Sequence, residues 1–180
     1  MPGMKAAGNI YLVGMMGAGK TTVGKLLARR LKLRFIDCDH EIEERCGVKI
    51  PLIFEIEGEP GFRSRESQVL AELTALDGVV LGTGGGAVLA EENRKRLCAR
   101  GLVVYLRALP EDLYERVRHD RNRPLLATAD PLGRLREIYA ERDPFYRSIA
   151  DLTVETGAQG VQALARDLLA KLDERWKASA

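Results

Sequence analysis

The clearest chemical signal in the chain is Gly14-Met-Met-Gly-Ala-Gly19-Lys20-Thr21, a full match to G-x-x-x-x-G-K-[ST]. Such a loop, set after a strand and opening a helix, turns successive backbone N–H groups inward around a polyphosphate. The helix start adds its partial positive charge. Gly17, Ala18, Gly19, Lys20, Thr21 and Thr22 are therefore candidate contacts to a nucleoside triphosphate. Lys20 is expected to bridge the β- and γ-phosphates, and the Thr21 hydroxyl to hold Mg2+. Many machines carry this loop, so other residues must choose among them. The N-K-x-D base reader of GTPases is absent, and the chain is short for a motor ATPase. A kinase for a small acceptor remains.

Asp37-Cys-Asp39 ends a short β-rich run, and its two carboxylates are expected to have different tasks. One would face the Mg2+ shell and the other an acceptor hydroxyl; alternatively, Asp39 simply caps the next helix. Arg63 offers a planar fork suited to a carboxylate, Glu66 could hold it, and Phe54 and Phe62 could wall a pocket around it. The same four residues also fit a core aromatic pair beside a surface ion pair of small energetic weight. Gly84-Gly85-Gly86 follows a buried-looking strand. Three consecutive glycines suit a backbone that approaches a ligand closely, or else a plain flexible turn.

Arg116-Val-Arg-His-Asp-Arg-Asn-Arg123 packs four arginines into eight residues before a proline. It reads as a cation-rich cover in which Arg123 reaches a transferring phosphoryl group, or as a solvated helix end. A nucleic-acid patch is the weaker alternative, because no aromatic residues interleave the cations. Arg142 is expected at a helix end before Pro144, where it either contacts ligand or caps carbonyls. His40 and His119 stand isolated among charges and are read as solvated, and Cys38 is given no role.

These residues need elements to place them. The chain alternates short β-rich runs with longer helical periods, the pattern of an α/β domain around a mostly parallel sheet. Strands are expected at 9–13, 34–37, 79–81, 102–106 and 149–155. Helices are expected at 21–31, 42–45, 64–76, 91–99, 111–118, 131–142 and 161–176.

The 180 residues suit one domain, with 46% hydrophobic and 30% charged residues and a net charge of +2. That balance excludes disorder as the main state and lends nothing to nucleic-acid or membrane-surface binding. The longest uncharged stretch, Ala6 to Gly19, is 14 residues with four glycines, too short to span a membrane. The first five residues do not read as a secretory signal. Cys38, Cys46 and Cys98 are odd in number and widely spaced, so a reducing, cytoplasmic setting is expected, with neither a disulfide framework nor a zinc site.

In order, G-M-M-G-A-G-K-T, D-C-D, F-E-x-x-G-E-x-x-F-R-x-x-E, the glycine triplet, R-P-L-L and E-R-x-P-x-Y resemble the shikimate kinase family from about Asn9 to Leu169. The resemblance implies a P-loop kinase fold of nucleoside monophosphate kinase type. This is a three-layer α-β-α sandwich around a five-stranded parallel sheet, here as one domain over residues 1–180. It implies an acceptor-binding region at about 38–67, a lid at about 117–130, and transfer of the γ-phosphoryl of ATP to the 3-hydroxyl of shikimate with Mg2+. By position, Lys20, Asp39 and Arg123 match catalytic residues, and Thr21 and Asp37 match the metal shell, Asp37 through water. Arg63 and Arg142 match the pair that grips the shikimate carboxylate, and Gly84, Gly85 and Gly86 the loop behind its ring. Arg116 falls where an arginine stacks on adenine, and Gln159 lies in the adenine loop. The expected partners are ATP and shikimate, with no nucleic acid and no membrane, for a monomer.

Overall fold

The structure is a computed structural model, and it describes residues 8–120, 123, 126–157 and 160–179. Five strands form one sheet: β1 (Ile10–Val13), β2 (Arg34–Asp37), β3 (Val79–Gly82), β4 (Leu102–Arg107) and β5 (Leu152–Glu155). Their order is β2-β3-β1-β4-β5 and every pairing is parallel. Burial follows that order. All four residues of β1 and of β3 are buried, as are five of the six of β4, whereas edge strands β2 and β5 each bury one residue. The uninterrupted apolar runs are those of strands covered on both faces. Each such Val, Leu or Ile side chain contributes about 1.5–3 kcal/mol relative to leaving it in water.

Among the described residues, seven α-helices accompany them: α1 (Lys20–Leu31), α2 (Cys38–Cys46), α3 (Ile50–Leu73), α4 (Glu91–Arg100), α5 (Pro110–Val117), α6 (Pro131–Ile149) and α7 (Val161–Ser179). With this order, β1 lies between β3 and β4: the chain leaves β1 for the β2 edge, and after β3 it crosses past β1 to β4 in the other half of the sheet. A crevice opens beyond the carboxyl ends of the strands at such a switch point. There the Thr83 backbone N–H and hydroxyl both donate to the Leu12 carbonyl, 3.1 and 2.9 Å away, pinning the end of β3 to the end of β1.

Three elements depart from expectation. Helix α2 starts at Cys38 rather than Ile42, because the Asp37 side chain accepts from the His40 backbone N–H at 3.1 Å and caps the helix there. Helix α3 begins at Ile50, well before the expected Ser64, and kinks at Gly58, whose φ of 72° and ψ of 179° only glycine adopts readily. Helix α6 runs past Pro144 to Ile149, so β5 begins at Leu152 and Arg142 sits inside a helix, not at its end. An interior proline removes one helical hydrogen bond at about 3 kcal/mol. Full burial of Tyr146 and near-full burial of Ile149 beyond it offset that cost.

Candidate active site

The phosphate loop has the geometry its glycines permit: Gly14, Gly17 and Gly19 hold φ of 148°, 79° and 98° between β1 and α1. The Lys20 ammonium donates to the Gly14 and Met15 carbonyls at 2.6 and 2.8 Å, so it lies within the loop. Burial lowers its pKa from 10.5 to about 8, opposed by the Asp39 and Asp37 carboxylates. Thr21 and Thr22 are exposed on the first turn of α1, whereas Ala18 is buried under the loop.

The Thr21 hydroxyl donates to the second Asp37 oxygen at 2.8 Å. On a continued strand Asp37 and Asp39 would share a face, since side chains two apart do. They diverge because the strand becomes a helix between them. Asp37 caps α2 and meets Thr21, while Asp39, in the first turn, turns toward the acceptor side. Thr21 and Asp37 thus present two adjacent hard oxygens. Such oxygens suit Mg2+, and the hydroxyl is placed to be a direct ligand with the carboxylate reaching the ion through water. Among the described residues, no cluster of three or more His, Cys, Asp or Glu is placed to hold a metal by itself.

The acceptor side is built by α3, α6 and the glycine triplet. Arg63 donates to Glu66 at 2.8 Å; Glu66 is only 3% exposed and Arg63 21%, so this is a part-buried pair rather than a surface one. Glu59 adds a second contact to Arg63 at 3.3 Å. Phe54 and Phe62 pack with centroids 4.9 Å apart, and the Arg63 guanidinium lies 5.2 Å from the Phe62 centroid. A Cβ on Gly86 would overlap the Arg63 guanidinium, and one on Gly84 would come within 2.7 Å of both Asp39 Oδ1 and Glu66 Oε2. A Cβ on Gly85 would reach Arg142 Nη1 at 3.3 Å. The triplet is a close-approach surface, not a slack turn.

Asp39 Oδ1, Glu66 Oε2 and Arg142 Nε are buried without a hydrogen-bond partner. Buried polar atoms usually have partners, so three orphans around one pocket mark a place for a polar ligand. Burial, then the neighbouring Asp37 charge, raises the Asp39 pKa, while Lys20, Arg123 and Arg63 oppose the rise. Burial raises that of Glu66 too, opposed first by Arg63.

Two cavities meet here. A cleft of about 520 Å3 runs along the phosphate loop past Thr21, Asp37 and Thr83. A pocket of about 80 Å3 lies between Phe54, Phe62, Arg63, Glu66, the three glycines and Arg142. Met16, Asp39, Ile50, Gly85 and Arg123 line both. Arg123, held by Asp120 at 3.1 Å, stands at this junction. Arg116 donates to the carbonyls of Gly17 (3.0 Å), Thr156 (3.0 Å) and Gly157 (3.3 Å), strapping the phosphate loop to the segment after β5. Gln159 lies outside the described residues, as do Pro124 and Leu125 of R-P-L-L. Exposed His40 pairs with Glu44 at 3.2 Å.

Met16 and Ile50 were not singled out by sequence, because an apolar side chain carries no chemical signature.

A family model described as shikimate kinase matches residues 16–173. The shikimate kinase of Thiobacillus denitrificans is 62% identical over 170 residues, spanning 94% of this chain and 93% of that one. That of Cupriavidus pinatubonensis is 59% identical over 165 residues, spanning 92% and 86%. Among solved structures, shikimate kinase from Acinetobacter baumannii in complex with shikimate is 48% identical, with a TM-score of 0.92 and coverage of 95% and 96%. A gluconokinase from Sinorhizobium meliloti, 19% identical with a TM-score of 0.62 and coverage of 95% and 94%, shares the fold.

Proposed function

From the premise that the chain belongs to the shikimate kinase family, we propose that it transfers the γ-phosphoryl group of ATP to the 3-hydroxyl of shikimate. The products are shikimate 3-phosphate and ADP, on the route to chorismate and the aromatic amino acids. One observation supports this reading most: the phosphate-loop cleft opens into a pocket lined by half-buried Arg63 and buried Arg142, and Asp39 and Arg123 stand at the opening.

In this reading the backbone of Gly17, Ala18 and Gly19 wraps the phosphates, Lys20 leaves its carbonyls to meet them, and Thr22 adds a hydroxyl. Arg63 and Arg142 clamp the shikimate carboxylate, with one ring face on Gly84, Gly85 and Gly86. Asp39 accepts a hydrogen bond from the 3-hydroxyl and takes its proton as the new P–O bond forms and the bond to ADP breaks. Arg123 neutralises charge on the phosphoryl oxygens. Such transfer rests on positioning and charge neutralisation, with little covalent work by the protein. Thr21, and Asp37 through water, would hold Mg2+, which when bound neutralises the β- and γ-phosphate oxygens. Arg116 and Gln159 serve the nucleotide, residues 38–67 close over the acceptor, and 117–130 form a lid that excludes water. The chain acts as a monomeric, cytoplasmic single domain.

A coupled assay of ADP release across shikimate, gluconate and nucleoside monophosphates tests the reading. Release that depends on shikimate alone is expected, and release unaffected by shikimate would overturn it.

A further inference from the structure

Tyr146 is fully buried and lines neither cavity, yet its hydroxyl donates to the Gly85 carbonyl and lies 3.8 Å from the Met15 sulfur. One atom therefore touches both the glycine triplet and the phosphate loop. Arg142 stands one turn earlier on the same helix, and its Nη1 lies 3.3 Å from where a Cβ on Gly85 would sit. The ring is fixed from behind by Tyr105, 4.9 Å away centroid to centroid, whose own hydroxyl points elsewhere, to Asp143 at 2.6 Å. Burial raises the Tyr146 pKa, with Arg142 opposing, so the phenol remains a donor.

Building on the shikimate reading, we propose that Tyr146 is a positioning residue that sets the spacing between the carboxylate clamp and the phosphate cradle, acting through Gly85. Gly85 lines both cavities, so a shift of its carbonyl moves the shared wall. Arg142 and the triplet serve acceptor binding, and uniform binding appears in KM rather than kcat. Loss of the hydroxyl should therefore show in the acceptor's KM.

The test is steady-state kinetics with shikimate and ATP varied separately, on the wild type, Tyr146→Phe and Tyr105→Phe, with thermal melts alongside. In Tyr146→Phe the shikimate KM is expected to rise about tenfold, with kcat falling less than threefold and the ATP KM within twofold of wild type. Tyr105→Phe loses a part-buried hydrogen bond of the same aromatic pair and should lower Tm while leaving both KM values within twofold. Placing p-aminophenylalanine at position 146 returns a donor and should restore the shikimate KM, which also decides the matter if the Phe variant does not fold. An unchanged shikimate KM in Tyr146→Phe, an equal rise in Tyr105→Phe, or no rescue would overturn the positioning role while shikimate kinase activity stood. A wild type without shikimate-dependent ADP release would overturn both.

Discussion

Two side chains carry opposite electrostatic burdens, and each yields a measurable sign. Asp39 is a carboxylate whose pKa burial raises, so the folded state binds its proton more tightly than the unfolded chain does. The resulting stability is full below the ordinary carboxylate pKa of about 4 and is lost as pH rises through the folded value. Wherever it is ionised, the group therefore weakens the fold. Asp39→Asn should therefore raise Tm at pH 8, with the gain shrinking toward pH 4, while kcat falls about 10²–10⁴-fold and ADP still binds. Undiminished turnover in that variant would remove Asp39 from the mechanism. Lys20 is the converse, a cation whose pKa falls to about 8. It is half neutral near pH 8 in the free protein, and a triphosphate would draw the proton back. The kcat/KM for ATP should fall as pH rises through about 8, whereas kcat, reporting the loaded enzyme, should stay level there. A flat kcat/KM up to pH 9.5 would contradict this.

At the scale of elements, the site depends on a helix that does not run straight. Gly58 lets the first half of α3 carry Phe54 against Phe62 from the second half, which would diverge on an unbroken helix axis. An alanine there would adopt a backbone region that costs about 1–3 kcal/mol. Gly58→Ala should lower stability by about that amount in denaturant titration and raise the shikimate KM several-fold. A variant with wild-type stability would mean the chain bends equally well without glycine. The same element shows what sequence could and could not disclose. The phosphate loop, all five strands and the order of the functional motifs were legible, because backbone periodicity and spacing encode them directly. The first half of α3 was hidden because Gly58-Glu-Pro60 looks like a stop signal, and the continuation of α6 because Pro144 does. In both cases tertiary burial of Phe62 or Tyr146 overrides local propensity. The burial of Glu66 beneath half-buried Arg63 was hidden too, since three-residue spacing on a helix fits a surface pair equally well.

At the scale of the whole molecule, the acceptor half and the nucleotide half share a wall but are fastened by different contacts. The triplet, α3 and α6 build one. The other is closed by Arg116, which reaches from α5 to the Gly17 carbonyl on one side and to Thr156 and Gly157 on the other. These carbonyls belong to segments more than 130 residues apart in sequence, and one guanidinium joins them. A ligand that binds only the folded state at 100 times its Kd stabilises by about 2.7 kcal/mol, which at this chain length raises Tm by about 5–11 °C. ADP should do this for the wild type. In Arg116→Ala the strap is gone, and a tenfold weaker Kd would cut the rise at the same ADP concentration to about half. On the proposed reading shikimate binding uses none of these contacts, so the Tm rise it produces should be the same in both proteins. Melts of the two proteins with each ligand separate the halves. Equal loss of both shifts would mean that Arg116 supports the fold as a whole, and an unchanged ADP shift would mean that the nucleotide site does not depend on the strap.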